Sequence, residues 1–460
     1  MNGEETRLGE TESVCPECLQ RIPARRVGRG GDVLLVQECP AHGRFEAVLW
    51  RGEPDYASWI RPKTPSSPRQ PFTAVDRGCP LDCGLCPEHR QHTCTALLEV
   101  TGRCDLGCAY CFASSGGDAP PDPSLEVIAG WYAALLQAGG PYNVQLSGGE
   151  PCQRNDLAGI VRLGKSMGFG FIQLNTNGLR LASDPDLGRE LKDAGLSSVF
   201  LQFDGTEDEI YRALRGRPLW DIKRAAVERC AELELGVVLV PTLVPGVNVH
   251  NIGQIIRFAL AHQPAVRGVH FQPVSYFGRF PRGVDDSRRV TLPEVMREIE
   301  RQMDGQMTVR DFRPSGCENS HCSFHTDYLP LPDGRLYCLP ARPTAGCGCS
   351  PERAEEGAAR TRAVTARRWS FPAATAVECG AEPAPGPGLG EWEVILRQVK
   401  THTLTISAMA FQDAWTLDLE RLKDCCIHTV HPDGRLIPFC AYNLTSASGQ
   451  PLYRRVERHK

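Results

Sequence analysis

The chain has 460 residues, 41% of them hydrophobic, with a formal net charge of −4. That length exceeds one small domain and can bury a substantial core. Acidic and basic residues are interspersed, so there is no basic stripe of the kind nucleic acid needs, and no apolar run reaches the ~18 residues of a membrane span.

The N-terminal stretch MNGEETRLGE is polar and acidic, unlike a signal or transit peptide. A cytoplasmic location is expected, where thiols stay reduced, and 21 cysteines there point to metal rather than disulfides. In residues 1–60, CPEC (Cys15, Cys18) and ECPAHG (Cys39, His42) flank a short strand pattern from Val33 to Val36. Two short-spaced pairs across a hairpin make a zinc-ribbon or rubredoxin-like module that accepts Zn or Fe. Residues 61–71 read as a Pro- and Ser-rich linker. Residues 72–94 carry Cys79, Cys83, Cys86 and then Cys94 in a loop punctuated by Pro and Gly.

From about 95 to 305, strand and helix alternate. Strands are expected at 95–101, 143–147, 170–175, 197–203, 236–243 and 267–273. Helices are expected at 124–138, 155–167, 186–194, 219–234, 249–262 and 292–303, the last opened by a Thr291/Glu294 capping box. Six such units give an α/β fold with parallel strands and right-handed crossovers. Six falls short of the eight of a closed barrel, so a partial, TIM-like (β/α)6 barrel is expected, with chemistry at the C-terminal strand ends.

Beyond 305 the cysteines return, at 306–340 and 400–460, around a stretch at 341–391 whose composition suggests a flexible insertion. Residues 331–338 (LPDGRLYC) and 431–440 (HPDGRLIPFC) echo each other: each is an Asp-Gly hairpin signal followed by a cysteine. Paired presentation of metal ligands is expected. Cys317, Cys322 and Cys338 would form one set, completed by Cys440 in preference to Cys425 or Cys426.

The second Cys-x3-Cys-x2-Cys run, Cys104, Cys108 and Cys111, directly follows the first barrel strand. Three thiolates at this spacing hold three irons of a [4Fe–4S] cluster and leave the fourth open. Tyr110 precedes the last cysteine, and Ser147-Gly148-Gly149-Glu150-Pro151 ends the next strand. Glycines there let backbone approach a ligand closely. In the first triplet, Cys94, or His89 or His92 in its place, would complete a four-ligand auxiliary cluster. Cys230 reads as core, Cys152 stands beside Glu150, and Cys347, Cys349 and Cys379 read as uninvolved. Asp204, Asp333 and Asp433 read first as turn residues.

The Cys-x3-Cys-x-aromatic-Cys run and the Gly-Gly-Glu that follows resemble the radical S-adenosylmethionine (radical SAM) superfamily. The segment from Cys79 to Ala113, with the N-terminal CPEC/CPAHG and the C-terminal FQDAWTLDLERLKDCCIHTVHPDGRLIPFCAYN, is similar to the tetraether lipid synthases, the pterin methylases and bacterial TrsS-like relatives. The resemblance implies a SAM-binding [4Fe–4S] cluster on Cys104, Cys108 and Cys111. It places Gly148, Gly149, Glu150 and Pro151 at the SAM amino group, Tyr110 at the adenine, and Asn175 and Gln202 at the carboxylate or ribose. It also implies one or two auxiliary [4Fe–4S] clusters and a mononuclear Zn or Fe in the N-terminal module. The expected activity is reductive cleavage of SAM to a 5′-deoxyadenosyl radical that functionalises an unactivated C–H bond, as methylation or C–C coupling of a lipid or pterin-like substrate. A flavodoxin or ferredoxin would donate electrons. A SPASM-like peptide maturase and a multi-cluster electron carrier are the competing readings.

Overall fold

The computed structural model describes residues 5–116, 119–283, 288–339, 351–372 and 397–454. Cys347, Cys349 and Cys379 lie outside them.

The N-terminal module is a four-stranded antiparallel sheet in sequential order: β1 (Thr6–Val14), β2 (Arg21–Arg29), β3 (Asp32–Cys39) and β4 (Gly43–Arg51). It is tied to the C-terminal region by an ion pair between Arg26 Nη1 and the buried Asp418 at 2.6 Å. Thr11 Oγ1 donates to the same carboxylate.

The main sheet holds β5 (Thr95–Thr101), β6 (Asn143–Gly148), β7 (Ile172–Thr176), β8 (Ser198–Gln202), β9 (Gly236–Val240), β10 (Thr242–Leu243) and β11 (Val266–Pro273). Its remaining strands are β12 (Arg313–Pro314), β13 (Ser323–Pro330), β14 (Leu336–Cys338), β15 (Leu404–Met409), β16 (Ile427–Val430) and β17 (Leu436–Pro438). The crossover helices are α1 (Leu125–Gln137), α2 (Leu157–Ser166), α3 (Leu179–Ser183), α4 (Pro185–Asp193), α5 (Asp208–Arg215), α6 (Trp220–Glu232) and α7 (Ile252–Ala261), followed by α8 (Leu292–Gln302). The expected six α/β units are present. To them the C-terminal region adds two further parallel strands, β16 beside β5 and β15 beside β11, so the parallel row runs β16-β5-β6-β7-β8-β9-β11-β15. Alternate residues of the strands, Val144 and Leu146, Leu174, Val199 and Leu201, and Val237 and Leu239, pack into one core, while residues between them such as Gln145 and Asn175 face the barrel interior.

The echoed turns are two copies of one structure at opposite edges of this sheet. In the β13–β14 hairpin, Leu331 N donates to Arg335 O and Gly334 N to Leu331 O; in the β16–β17 hairpin, His431 N donates to Arg435 O and Gly434 N to His431 O. Gly334 (φ +83°) and Gly434 (φ +89°) both sit in the left-handed region, where glycine is unstrained. Asp333 and Asp433 each accept from the backbone N–H two residues on, so both act as turn residues, as expected.

Of the stretch at 341–391, expected to be a flexible insertion, the described residues are 351–372, and these depart from that expectation. Within it, α9 (Ala354–Trp369) is a 16-residue helix, rich in the strong helix formers Ala, Arg and Glu. It crosses the N-terminal ends of the strands. Asn143 Nδ2, at the start of β6, donates to Arg362 O at 3.1 Å, and Arg362 Nη1 donates to Thr93 O at 2.8 Å. At the far side Arg267, in β11, donates to Arg368 O at 3.0 Å. A Cβ on Gly236, which opens β9, would lie 2.2 Å from Trp369 O. The helix therefore plugs the bottom of the barrel.

Candidate active site and metal centres

A cavity of about 1650 Å³ fills the barrel and reaches its C-terminal end. Cys104, Cys108, Cys111, Tyr110, Gly148, Gly149, Glu150, Asn175 and Gln202 all line it. The cysteine loop after β5 is clamped from several sides. Cys111 and Arg279 exchange two backbone hydrogen bonds, at 2.9 and 3.0 Å, and Arg279 Nε donates to Cys108 O at 2.9 Å. Asn177 Nδ2 donates to Asp105 Oδ1 at 2.6 Å.

The two glycines ending β6 are required by backbone contact. Gly149 N donates to Thr101 O and Glu150 N to Arg103 O, both at 2.7 Å. A Cβ would fall 2.2 Å from Thr101 O at Gly148 and 2.0 Å from Arg103 O at Gly149. Only glycine lets β6 press this closely on the root of the cysteine loop.

Glu150 lines the chamber while being only 2% exposed, and its carboxylate accepts from Cys152 N (3.0 Å), Thr176 Oγ1 (2.7 Å) and Asn177 N (2.6 Å). Burial pushes its pKa up and those hydrogen bonds oppose the shift. Glu150 thus fixes the end of β7, and through Asn177 the cysteine loop. Pro151 starts a short buried turn, Pro151–Gln153, and Cys152 Sγ lies 3.5 Å from Thr176 Oγ1.

Gln202 has both ends of its amide engaged, by Lys223 Nζ at 2.8 Å and by Asp204. Asn175 keeps a free acceptor: its Oδ1 is buried without a partner among the described residues. Tyr110 packs with Val244, Val274, Ile210 and Leu214, an apolar wall suited to an aromatic base. Sequence reasoning missed the polar core behind this wall. Asp204 is fully buried and holds Arg215 in a two-pronged ion pair, at 2.7 and 2.8 Å. Lys223 is also fully buried, and desolvation takes it down to about 7. Asp204, expected as a turn residue, follows β8 and gives its carboxylate to Arg215, while Arg215 and Lys223 lie inside the amphipathic helices α5 and α6, where a charge is indistinguishable in sequence from a solvated face.

In the N-terminal module, Cys15, Cys18, Cys39 and His42 bring their ligand atoms within 4.8 Å of one another. His42 Nδ1 lies 3.5 Å from Cys15 Sγ and 3.4 Å from Cys39 Sγ. Two tight turns deliver these ligands, β1–β2 and β3–β4, and the set fits a tetrahedral Zn site.

The remaining cysteines group differently from the expectation. Cys79, Cys83 and Cys86 line one small cavity with His89, and Cys94 is not among them. Cys94 instead packs with Cys317 and Cys426, because Cys94 N donates to Cys426 O where β16 joins β5. Glu318 stands within 4.8 Å of Cys317 and Cys426. His92 is buried, but its Nε2 has no partner among the described residues. Cys322 accepts from Arg421 Nη2 and Cys440 from Gln412 N, both at 3.3 Å. Burial, then the neighbouring Cys425 and Cys322, push the Cys440 thiol up. The adjacent Cys425 and Cys426 therefore face different groups. Cys338 meets neither: it borders the large cavity beside Thr326, at 3.5 Å. The two echoed hairpins sit at opposite sheet edges, which is why their cysteines do not converge. Cys230 is buried core, as expected.

Comparison with known proteins agrees with this architecture. Residues 98–259 match the model of the radical SAM superfamily, and residues 7–51 match the HMPTM N-terminal zinc ribbon domain. The chain is 34% identical to the 7,8-dihydro-6-hydroxymethylpterin dimethyltransferase of Methanocaldococcus jannaschii, over 94% of this chain and 93% of that protein. It is 32% identical to a probable GTP 3′,8-cyclase of Methanothermobacter marburgensis, over 37% of this chain and 55% of that one. Among solved structures, SuiB of Streptococcus suis with its precursor peptide SuiA aligns with a TM-score of 0.40 at 12% identity, over 48% of each chain. The chain belongs to the radical SAM superfamily and, within it, to the family of the pterin dimethyltransferase. It is a radical SAM enzyme, and its N-terminal module is a zinc ribbon. No helix among the described residues is long and apolar enough to cross a membrane.

Proposed function

We propose that this enzyme methylates a reduced pterin by radical SAM chemistry. The carrying observation is the cavity: one chamber of about 1650 Å³ joins the Cys104/Cys108/Cys111 loop to a barrel interior lined with Gln145, Asn175, His270 and Gln272. Single small-molecule sites run to about 300–1,000 Å³, so the chamber has room for SAM and a bicyclic heterocycle together. The polar groups that Gln145, Asn175, His270 and Gln272 bring into the barrel interior, together with the plugged floor, favour a compact heterocycle over a long lipid chain, and an electron carrier has no use for such a chamber. The near full-length likeness to a pterin dimethyltransferase supports the same reading.

Cys104, Cys108 and Cys111 fit the site-differentiated [4Fe–4S] cluster, being three cysteines on one loop that all face the chamber. When bound, that cluster supplies the electron that splits SAM into methionine and a 5′-deoxyadenosyl radical. The chain's own residues position and shield. Asn177, Arg279 and the Gly148–Gly149 edge hold the cysteine loop in register, Tyr110 offers a face to the adenine, and Asn175 Oδ1 accepts from SAM. Arg215, Asp204 and Lys223 brace the wall.

Cys79, Cys83 and Cys86, with His89 beside them, are assigned to a first auxiliary [4Fe–4S] cluster. Cys94, Cys317 and Cys426, with Glu318, are assigned to a second that borders the chamber. Cys15, Cys18, Cys39 and His42 hold Zn or Fe. A flavodoxin- or ferredoxin-type donor in the cytoplasm supplies electrons. The SAM that is split keeps its methyl group on the methionine it releases, so the transferred methyl comes from a separate one-carbon donor. The test is anaerobic reconstitution with dithionite, SAM, 7,8-dihydro-6-hydroxymethylpterin and such a donor (a second SAM or a methylene-bearing reduced pterin or folate), with 5′-deoxyadenosine and methylated pterin quantified. The wild type should form both products. A variant with Cys104, Cys108 and Cys111 all replaced by Ala should form neither, and any SAM cleavage it retained would assign the reaction to another cysteine set.

A further inference from the structure

We propose that Trp369, delivered by the inserted helix α9, joins Phe200 and His270 to form the platform on which the substrate's planar heterocycle stacks. The inference rests on the pterin reading and specifies the residues that select for it.

The three rings form one cluster, inclined to one another, in which the Phe200 and Trp369 faces are the closest to parallel. The Phe200 and Trp369 ring centroids lie 5.7 Å apart at 34°, Phe200 and His270 5.6 Å at 45°, and His270 and Trp369 6.2 Å at 62°. All three line the chamber. Beside them, Val238 and Val240 on β9 pack with Phe200 and Trp369, so the rings are held in an apolar cluster. Phe200 and His270 point inward from β8 and β11, whereas Trp369 enters from below as the last residue of the plug. The α/β units alone therefore leave the platform incomplete.

His270 adds an edge to the face. Burial takes its imidazole down to about 4, so it is neutral near pH 7. Nδ1 lies 2.9 Å from Ser407 Oγ, and that hydroxyl is 3.5 Å from Val269 O. With the hydroxyl donating to the carbonyl, Ser407 accepts from Nδ1–H and Nε2 is left as an acceptor. Nε2 has no protein partner among the described residues, and a pterin carries ring and exocyclic N–H donors that suit it. Aromatic stacking of a base is typically worth tenfold to a hundredfold in affinity, and a second aromatic ring substitutes well because every ring offers a π-face.

The experiment is equilibrium binding of 7,8-dihydro-6-hydroxymethylpterin to the reconstituted full chain in the presence of SAM. Trp369→Ala should weaken binding at least about tenfold, and Trp369→Phe by no more than about threefold. Both should keep wild-type iron content and wild-type SAM cleavage in the absence of pterin. Wild-type pterin affinity in an iron-replete Trp369→Ala protein overturns the platform. If Trp369→Ala loses iron, Phe200→Leu carries the same test, since it keeps an apolar side chain and removes the ring; unchanged affinity there also overturns it. Guanine serves as a second flat probe. A wild type that binds guanine but not the pterin, with guanine binding lost in Trp369→Ala, sinks the pterin reading and leaves the platform standing. A wild type that binds neither sinks the platform.

Discussion

The backbone N–H of Cys94 donates to the carbonyl of Cys426 at 2.7 Å. Residues more than 300 positions apart thus share one strand register, and both sulfurs turn toward Cys317. Cys94→Ala and Cys426→Ala should therefore give the same phenotype. Each should lose ~4 irons per chain and leave the Cys79/Cys83/Cys86 site loaded. Iron and sulfide counts with Mössbauer spectra check this. A Cys94→Ala protein that resembles Cys83→Ala instead would return Cys94 to the upstream triplet.

Gly149→Ala drives a methyl group to within 2.0 Å of Arg103 O, a backbone atom that cannot swing aside. The expected cost is about 3 kcal/mol or more, at the upper end for overpacking. The strain falls on the cysteine loop, so cleavage of SAM should drop with it. Thermal unfolding and 5′-deoxyadenosine formation measure the two effects. A stable, active variant would mean that β6 does not abut the loop.

Glu150→Gln replaces a buried acceptor of three hydrogen bonds by a group that turns an N–H toward a donor. A loss of about 1–3 kcal/mol is expected from the unsatisfied contact. Asn177, released from Glu150, should also loosen Asp105. SAM binding measured by equilibrium dialysis should weaken along with stability. If the variant kept its stability and lost only SAM, the carboxylate would be contacting the ligand.

His270 sets a pH dependence. Its folded value, about 4, lies below the ordinary 6.5, so between those pH values the unfolded chain binds the proton and the folded chain does not. Its contribution is complete above about pH 6.5 and is lost as pH falls toward 4. At about 1.4 kcal/mol per pH unit this amounts to roughly 3 kcal/mol. Urea unfolding of wild type and His270→Gln across that window should show the wild type losing more by this amount. Equal losses would mean that His270 takes up its proton within the fold.

Cys39→Ser should remove the one metal ion of the zinc ribbon, Zn or Fe, without touching the iron and sulfide of the clusters, because that site is built wholly from the two N-terminal turns. Metal and sulfide analysis of the purified variant decides it. A parallel loss of sulfide would show that the module supports the clusters.

The alternating core was legible because its apolar strands and amphipathic helices satisfy local rules. The strand expected at 95–101 is Thr95–Thr101 and the helix expected at 292–303 is Leu292–Gln302, Thr291/Glu294 capping box included. The cysteine loop and the Gly-Gly-Glu were legible for the same reason, since each is contiguous. The auxiliary groupings were not. Cys94, Cys317 and Cys426 converge only through the β5–β16 register, which depends on long-range pairing that spacing does not encode. The helix α9 was hidden by compositional bias, although its Ala, Arg and Glu are themselves good helix formers.

The pairing of β16 with β5 also orders events in time. The first barrel strand emerges early in synthesis, yet its partner and the third thiol of the Cys94 group arrive only with residues 426–430. Until the ribosome has passed that point, β5 has one open edge and Cys94 has no completed ligand set. Sequence-distant contacts of this kind slow folding. Loading of the auxiliary cluster proposed for Cys94, Cys317 and Cys426 would therefore follow translation of almost the whole chain, and a nascent chain stalled before residue 426 should accept metal at the zinc ribbon but not there.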